Sequence, residues 1–202
     1  MVSVIEQQYV LALAEAADMI RRQAQSAPVF VEIGFGPDRF FIDQAMCNRK
    51  ALYIGVEKRW KRVIKANSKI QRAGLENAFI VHGDARHIVS CFPLQAVSGY
   101  YINFPDPFHK RRHVKRRLLD RDFFIALNHT LAAHGFVFIS SDHEGYMADI
   151  LHLLRGLPHF LGADRQCVRL QAGLPEGFPL TEFARRTNKG GGAIQHVQFV
   201  KA

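Results

Sequence analysis

The sequence predicts a doubly wound α/β domain whose mostly parallel sheet is finished by an antiparallel hairpin. Short apolar runs alternate with longer amphipathic ones, and the short runs are apolar on both faces, as in sheets covered by helices on each side. Glycines and acids also gather just beyond successive apolar runs, where open sheets of this kind bind ligands. Residues 4–25 place apolar side chains at helical spacing and stop at Ser26-Ala27-Pro28, where proline discourages continuation. This predicts a leading helix within 1–28, packed on the core of a single domain that spans 29–202. Val29–Ile33, Leu52–Val56, Phe79–Val81, Val97–Phe104 and Gly135–Ser140 then read as strands, with helices at 38–47, 58–73, 86–91 and 120–133 between them. A helix at 143–155 follows. Gln166–Leu170 and Gln195–Val200 alternate polar and apolar residues, the pattern of antiparallel strands.

With 202 residues and 48% apolar composition, the chain can bury one substantial core. Its formal charge of +9 favours a polyanionic partner, either nucleic acid or an acidic membrane surface. The excess is concentrated around 58–72 and 109–117, which predicts patches. Three widely spaced cysteines without a Cys-x-x-Cys pair suggest neither a disulfide framework nor a zinc site. A reducing cytoplasm suits them, and neither a secretory leader nor a membrane span is expected.

Three consecutive strand ends carry carboxylates. The first strand runs into Glu32-Ile33-Gly34-Phe35-Gly36, where glycines permit a sharp turn close to a bound group. The third glycine of a dinucleotide fingerprint would fall at Arg39, and a pyrophosphate would gain nothing from Glu32. The second strand ends at Glu57, suited to the two hydroxyls of a ribose. The third ends in Gly83-Asp84-Ala85, suited to an adenine amino group. Glu57 and Asp84 would also serve as helix N-caps. Together the acids point to a nucleoside that carries positive charge, of which S-adenosyl-L-methionine is the common one. The fourth long apolar run closes in Asn103-Phe104-Pro105-Asp106-Pro107-Phe108, and the next nine residues, His109 to Arg117, contain six fixed positive charges. Proline lacks the ladder donor and has a fixed torsion, so Pro-Asp-Pro ends the strand and leaves Asp106 at a rigid exit.

In these motifs the chain resembles the bacterial tRNA (guanine-N7-)-methyltransferases. The resemblance covers most of the chain from Val29 and rests on Glu32–Gly36, Ile54–Glu57, Gly83–Ala85, Phe104–Pro107, His109–Arg117 and Ser141-Asp142. It implies a Rossmann-like class I methyltransferase fold over 29–202 and a pocket for S-adenosyl-L-methionine at Glu32, Gly34, Gly36, Glu57, Asp84, Ala85 and Asp106. It also implies tRNA contacts at Lys110 and Asp142, and a variable-loop guanine (tRNA position 46) as target. Pro179-Leu180-Thr181-Glu182-Phe183 is similar to the family's Thr-Lys-Phe-Glu closing segment, which places Thr181 at the substrate. Asp38 stands where the family has a third glycine, Phe108 where it has Trp, and Glu182 and Ala184 where it has Lys and Glu.

Guanine N7 has a lone pair and no proton and is exposed in the major groove, so methylating it needs no strong base. Asp106 is accordingly expected to orient the guanine and stabilise developing positive charge, and Asp142 to take the N1 and N2 donors. Lys110, Arg111, Arg112, Lys115, Arg116 and Arg117 are expected to neutralise phosphates, and Phe108 is a candidate stacking platform. Lys58, Lys61, Arg62, Lys65, Lys69 and Arg72 fall on one helical stripe, either a second RNA patch or an ordinary solvated face. The enzyme would act as a monomer or homodimer without metal. The same residues also suit an RNA-binding module on a methyltransferase scaffold, or a methyltransferase for another amine or nucleobase.

Overall fold

The computed structural model describes residues 8–108, 111–157, 169–172, 174, 181–189 and 193–201. Its strands are β1 (Val10–Leu11), β2 (Val29–Ile33), β3 (Leu52–Glu57), β4 (Ala78–His82), β5 (Val97–Asn103), β6 (Leu131–Ser141), β7 (Arg169–Ala172) and β8 (Gln195–Val200). Its helices are α1 (Leu13–Gln23), α2 (Phe40–Cys47), α3 (Trp60–Arg72), α4 (Ala85–Ser90), α5 (Arg121–Thr130), α6 (Glu144–Arg155) and α7 (Glu182–Lys189). The strands form one sheet in the order β1-β4-β3-β2-β5-β6-β8-β7. All pairings from β1 to β6 are parallel, and β8 runs antiparallel to both β6 and β7.

Residues alternate between the two faces of the sheet. Val29, Val31 and Ile33 of β2 and Leu52, Ile54 and Val56 of β3 join Ala16, Ile20, Ile88, Phe124, Leu127 and Met147 in one core under α1, α4, α5 and α6. Phe30 and Tyr53 face the other way, towards a second core with Phe41, Ile42, Val63, Ala66 and Ile70 under α2 and α3. Burial on both faces is why the central strands lack the polar alternation of a solvent-facing sheet. Aromatic side chains from α2 and from the neighbouring strand β6 lie so close that two strand positions admit only glycine. A Cβ on Gly55 would sit 2.7 Å from the Phe41 ring, and one on Gly99 2.5 Å from the Phe136 ring.

β2 lies between β3 and β5, so the chain order reverses there and a crevice opens beyond the carboxyl ends of these strands. The turns after β2, β3, β4 and β5 all meet it.

Several elements depart from the expected boundaries. The leading helix begins at Leu13, and residues 8–12 of the expected helix are not helical, because Val10 and Leu11 extend the sheet beside Ile80 and Val81 of β4; residues 4–7 lie outside the described residues. The Ile80 amide donates to Tyr9 O and the Tyr9 amide to Asn67 Oδ1. α5 stops at Thr130, short of residue 133. The Thr130 hydroxyl bonds back to Ala126 O and meets Tyr100 Oη at 2.6 Å, while the Ala96 amide takes Thr130 O into the sheet. β6 therefore starts at Leu131, with a register shift opposite Val97 and Gly99. The first hairpin strand covers Arg169–Ala172, and residues 166–168 of the expected strand lie outside the described residues. α7 was not expected from the sequence. The basic run from Arg111 to Arg116 winds into a 3-10 helix. Among the described residues, no helix is long and apolar enough to cross a membrane.

Candidate active site

The first wall of the crevice is the turn after β2. Gly34 and Gly36 both adopt left-handed torsions, φ +68° and +64°, which side chains other than glycine tolerate poorly. The Gly34 amide donates to Val56 O at 2.8 Å, and no atom lies within 4 Å of the place a Cβ would take, so the turn faces open space. The Gly36 amide donates to Glu57 Oε2 at 3.1 Å. Glu57, 5% exposed, also accepts from Arg62 Nη1 at 3.1 Å and, through Oε1, from the Arg59 amide at 2.8 Å. It ties the glycine turn to the start of α3. Asp84 caps α4 by accepting from the Arg86 amide and pairs with Lys58 Nζ at 2.9 Å. The Lys58 hydrogen bond chiefly holds its carboxyl below the usual range.

The second wall is the segment after β5. Phe104 and Phe108 both have positive φ, 51° and 42°, a strained choice that surrounding bonds must hold. The Phe104 amide donates to Ser140 O at 2.8 Å and the Phe108 amide to Asp106 Oδ1 at 3.0 Å. Arg117 completes the support. Its Nε donates to Pro107 O at 2.8 Å, its Nη1 pairs with Asp149 at 2.7 Å, and its guanidinium lies 4.5 Å from the Tyr146 ring centre. Arg117 therefore does not project to phosphates as expected, because Tyr146 and Asp149 of α6 draw it inward.

Beneath the cleft, Glu32 accepts from the Phe41 amide and from Asn103 Nδ2, each at 3.1 Å. Asn103 Oδ1 in turn accepts from Ser140 Oγ at 3.0 Å. Burial pushes the Glu32 carboxyl up to about 8 against these hydrogen bonds, and Asp38 and Asp43 add to the rise. Glu32 thus acts as a brace between β2, β5 and α2, and it borders neither lobe of the cleft.

The cleft has two lobes that share Ile33, Gly34, Glu57, Arg116 and Leu118. The larger, about 440 Å³, is faced by Asp106 and Asp142 together with Arg59, Arg62, Asn103 and Phe108. The smaller, about 220 Å³, is faced by Asp84, Ala85, Lys58 and Arg86. Glu57, Asp84, Asp106 and Asp142 thus line two adjoining lobes, and Arg116 brings the basic run to the wall they share. Arg112 and Lys115 are exposed and line neither lobe. Lys110 and the side chains of Arg111 and Glu182 lie outside the described residues. Thr181, 3% exposed, caps α7 by accepting from the Ala184 amide at 3.0 Å, and it lines neither lobe. Ala184 is fully buried. Arg59 was not expected at the site, and Arg62, expected on the outward stripe of its helix, instead pairs with Glu57 and lines the larger lobe. Their position directly after Glu57, at the start of a helix that leaves a ligand-facing strand end, was the available signal. Among the described residues, no three His, Cys, Asp or Glu side chains are placed to hold a metal ion.

Residues 26–197 match the Methyltransf_4 family model ("Putative methyltransferase"). The chain is 30% identical over 176 residues to the tRNA (guanine-N(7)-)-methyltransferase of Psychromonas ingrahamii, covering 87% of this chain and 71% of that one. It is 32% identical over 191 residues to the enzyme of the same name from Thermus thermophilus, covering 93% and 57% respectively. Among solved structures, an antibiotic-related methyltransferase superposes with a TM-score of 0.66 at 15% identity over 94% of both chains. A point mutant of the 16S rRNA (adenine(1408)-N(1))-methyltransferase from Catenulisporales acidiphilia, solved with the cosubstrate SAM, does so at 0.58 and 18% identity, over 92% and 91%. The strand order, the acid-lined cleft at the reversal of that order and the sequence matches converge, and the chain belongs to the tRNA (guanine-N(7)-)-methyltransferase family.

Proposed function

We propose that this protein transfers a methyl group from S-adenosyl-L-methionine to N7 of guanine in tRNA, in the cytoplasm. The observation that carries this is the shared wall: Arg116 of the basic run lines the same cleft as Glu57, Asp84, Asp106 and Asp142. An RNA strand held by the run would therefore reach a chamber built for a cation.

The residues present fit such a donor. Four carboxylates border the two lobes, and the larger lobe lies within the usual range for small-molecule sites, about 300–1,000 Å³. The unobstructed Gly34 turn offers backbone where a side chain would otherwise intrude. When bound, S-adenosyl-L-methionine supplies an electrophilic methyl group on a sulfonium. Gly34, Gly36, Glu57, Asp84 and Ala85 form its seat, with Glu32 bracing the floor. Asp106, held between two prolines, orients the guanine and stabilises the positive charge that the purine acquires, and takes no proton from N7. Asp142 accepts from the guanine N1 and N2 donors. Lys110, Arg111, Arg112, Lys115 and Arg116 hold neighbouring phosphates, and Thr181 at the start of α7 belongs to the segment that closes over the substrate. Holding both partners in line is the main contribution, since good orientation lowers such barriers by about 7–11 kcal/mol.

The test is methyl transfer to unmodified tRNA transcripts, with the product mapped by borohydride and aniline cleavage, which breaks RNA at N7-methylguanine. The wild type should label a variable-loop guanine. Asp106→Asn should lower turnover on the order of 10²-fold, the usual cost of losing one preorganised electrostatic partner, and leave tRNA affinity nearly unchanged. A folded wild type that labels no transcript would reject the proposal.

A further inference from the structure

Between Lys58 and Gly74 the chain carries seven Lys or Arg residues and no Asp or Glu. Four of the seven have a local task. Arg62 pairs with Glu57, Lys58 with Asp84, Lys69 Nζ donates to Pro37 O, and Arg59 lines the larger lobe. Lys61, Lys65 and Arg72 are exposed. Among the described residues, no carboxylate pairs with them. At about 100° per residue these three positions fall within roughly 40° of one another around α3, opposite the buried Val63, Ala66 and Ile70. Like charges spaced i, i+4 on a helix surface cost about 0.2–0.5 kcal/mol a pair. A helix selected only for stability would intersperse acids, and this one has none.

The stripe starts on the same first turn of α3 that borders the cleft. α3 begins at the cleft mouth, where Arg59 and Arg62 line the larger lobe, and its 13 residues lead away over about 20 Å. Arg116 reaches the same lobe from the basic run, so cations approach the cleft on two separate elements. We propose that the outward stripe of α3, Lys61, Lys65 and Arg72, is a second track for the RNA backbone, which holds the body of the tRNA while the basic run holds the strand that carries the target base. This deepens the methyl-transfer proposal and takes its choice of RNA from it. Contacts of this kind go to phosphates and read no sequence. An anionic membrane would satisfy the charge equally, but a ligand that also enters the cleft uses the cations that α3 and the basic run both bring to its mouth.

The experiment compares three full-length proteins: the wild type, Lys61→Ala/Lys65→Ala/Arg72→Ala and Arg112→Ala/Lys115→Ala. Binding of unmodified tRNA is measured across a salt series, with anionic phospholipid vesicles as a second ligand. The α3 triple variant should bind tRNA at least about tenfold more weakly, and its slope of log affinity against log salt should flatten by about two units, near 0.7–0.9 per lost phosphate contact. Its melting temperature should be unchanged or higher, because like-charge repulsion is removed. Wild-type affinity and slope in the triple variant, beside losses in the Arg112/Lys115 variant, would overturn the α3 track and leave the methyl-transfer proposal standing. A wild type that binds vesicles in preference to tRNA, or binds no tRNA, would overturn both.

Discussion

Arg117 sits within the basic run, yet its contacts are those of a structural strut. Its guanidinium joins Pro107 O, Asp149 and the face of Tyr146, and its own carbonyl accepts from Arg86 Nη2 at 2.6 Å. Arg86 pairs in turn with Asp120 at 2.8 Å. The carbonyl that Arg117 holds is one residue from Asp106, so its expected effect is on orientation. Arg117→Met keeps the stem and removes the head. Turnover should fall on the order of 10²-fold, as small misplacements near the reacting atoms do, while the salt dependence of tRNA binding stays as in the wild type. Arg117→Lys should recover part of the turnover by restoring one charged donor. A salt slope about one unit shallower in Arg117→Met would instead make Arg117 a phosphate contact. Spacing along the chain could not separate Arg117 from Arg116, because adjacent residues in a 3-10 turn point in different directions and the partner that captures Arg117 lies 32 residues away. Asp84, for which a cap and a ligand-facing position were both open, fills both: it caps α4 and borders the smaller lobe.

Among the elements, the strands were the most legible. Val29–Ile33 has the bounds that its apolar run predicts, β3 and β4 extend the predicted strands by one and two residues, and β5 stops one residue short, at Asn103, since a run buried on both faces ends where the turn residues begin. The ends governed by distant partners were less legible. The first strand needs the edge of β4, and the end of α5 depends on Tyr100 and Ala96. Packing between elements also makes Gly99 indispensable to β5. A Cβ there would lie 2.5 Å from the Phe136 ring, which is itself packed against Tyr101 at 5.3 Å and Phe30 at 6.0 Å between centroids and has little room to swing aside. Gly99→Ala should destabilise by about 1–3 kcal/mol, the usual cost of overpacking a core, which for a chain of this size lowers the melting temperature by about 2–4 °C per kcal/mol. Thermal unfolding checks this, and an unchanged midpoint would mean the ring relaxes freely.

For the molecule as a whole, Glu32 couples the two sides of the sheet reversal to the surrounding pH. Its carboxyl is raised from 4.5 to about 8, chiefly by burial, so between these values the folded chain binds a proton that the unfolded chain has lost. Stability therefore falls as pH rises through this window and levels off above about 8. Glu32→Gln should remove that part of the decline, and denaturant unfolding from pH 5 to pH 8.5 compares the two profiles. Parallel profiles would show that Glu32 is charged throughout. Read alone, the chain discloses the succession of strands and helices, because periods of 2 and 3.6 are local properties of side-chain direction. It also discloses the acids at the strand ends, the glycine turn and the basic run, because each is a short contiguous motif. Packing in three dimensions assigns their tasks. It sets Glu32 against Asn103, 71 residues away, as a brace below the cleft, turns Arg117 inward and Arg116 onto the cleft wall, and brings Arg59 and Arg62 to face Asp106. Those outcomes depend on which distant surfaces meet, and no local periodicity encodes that.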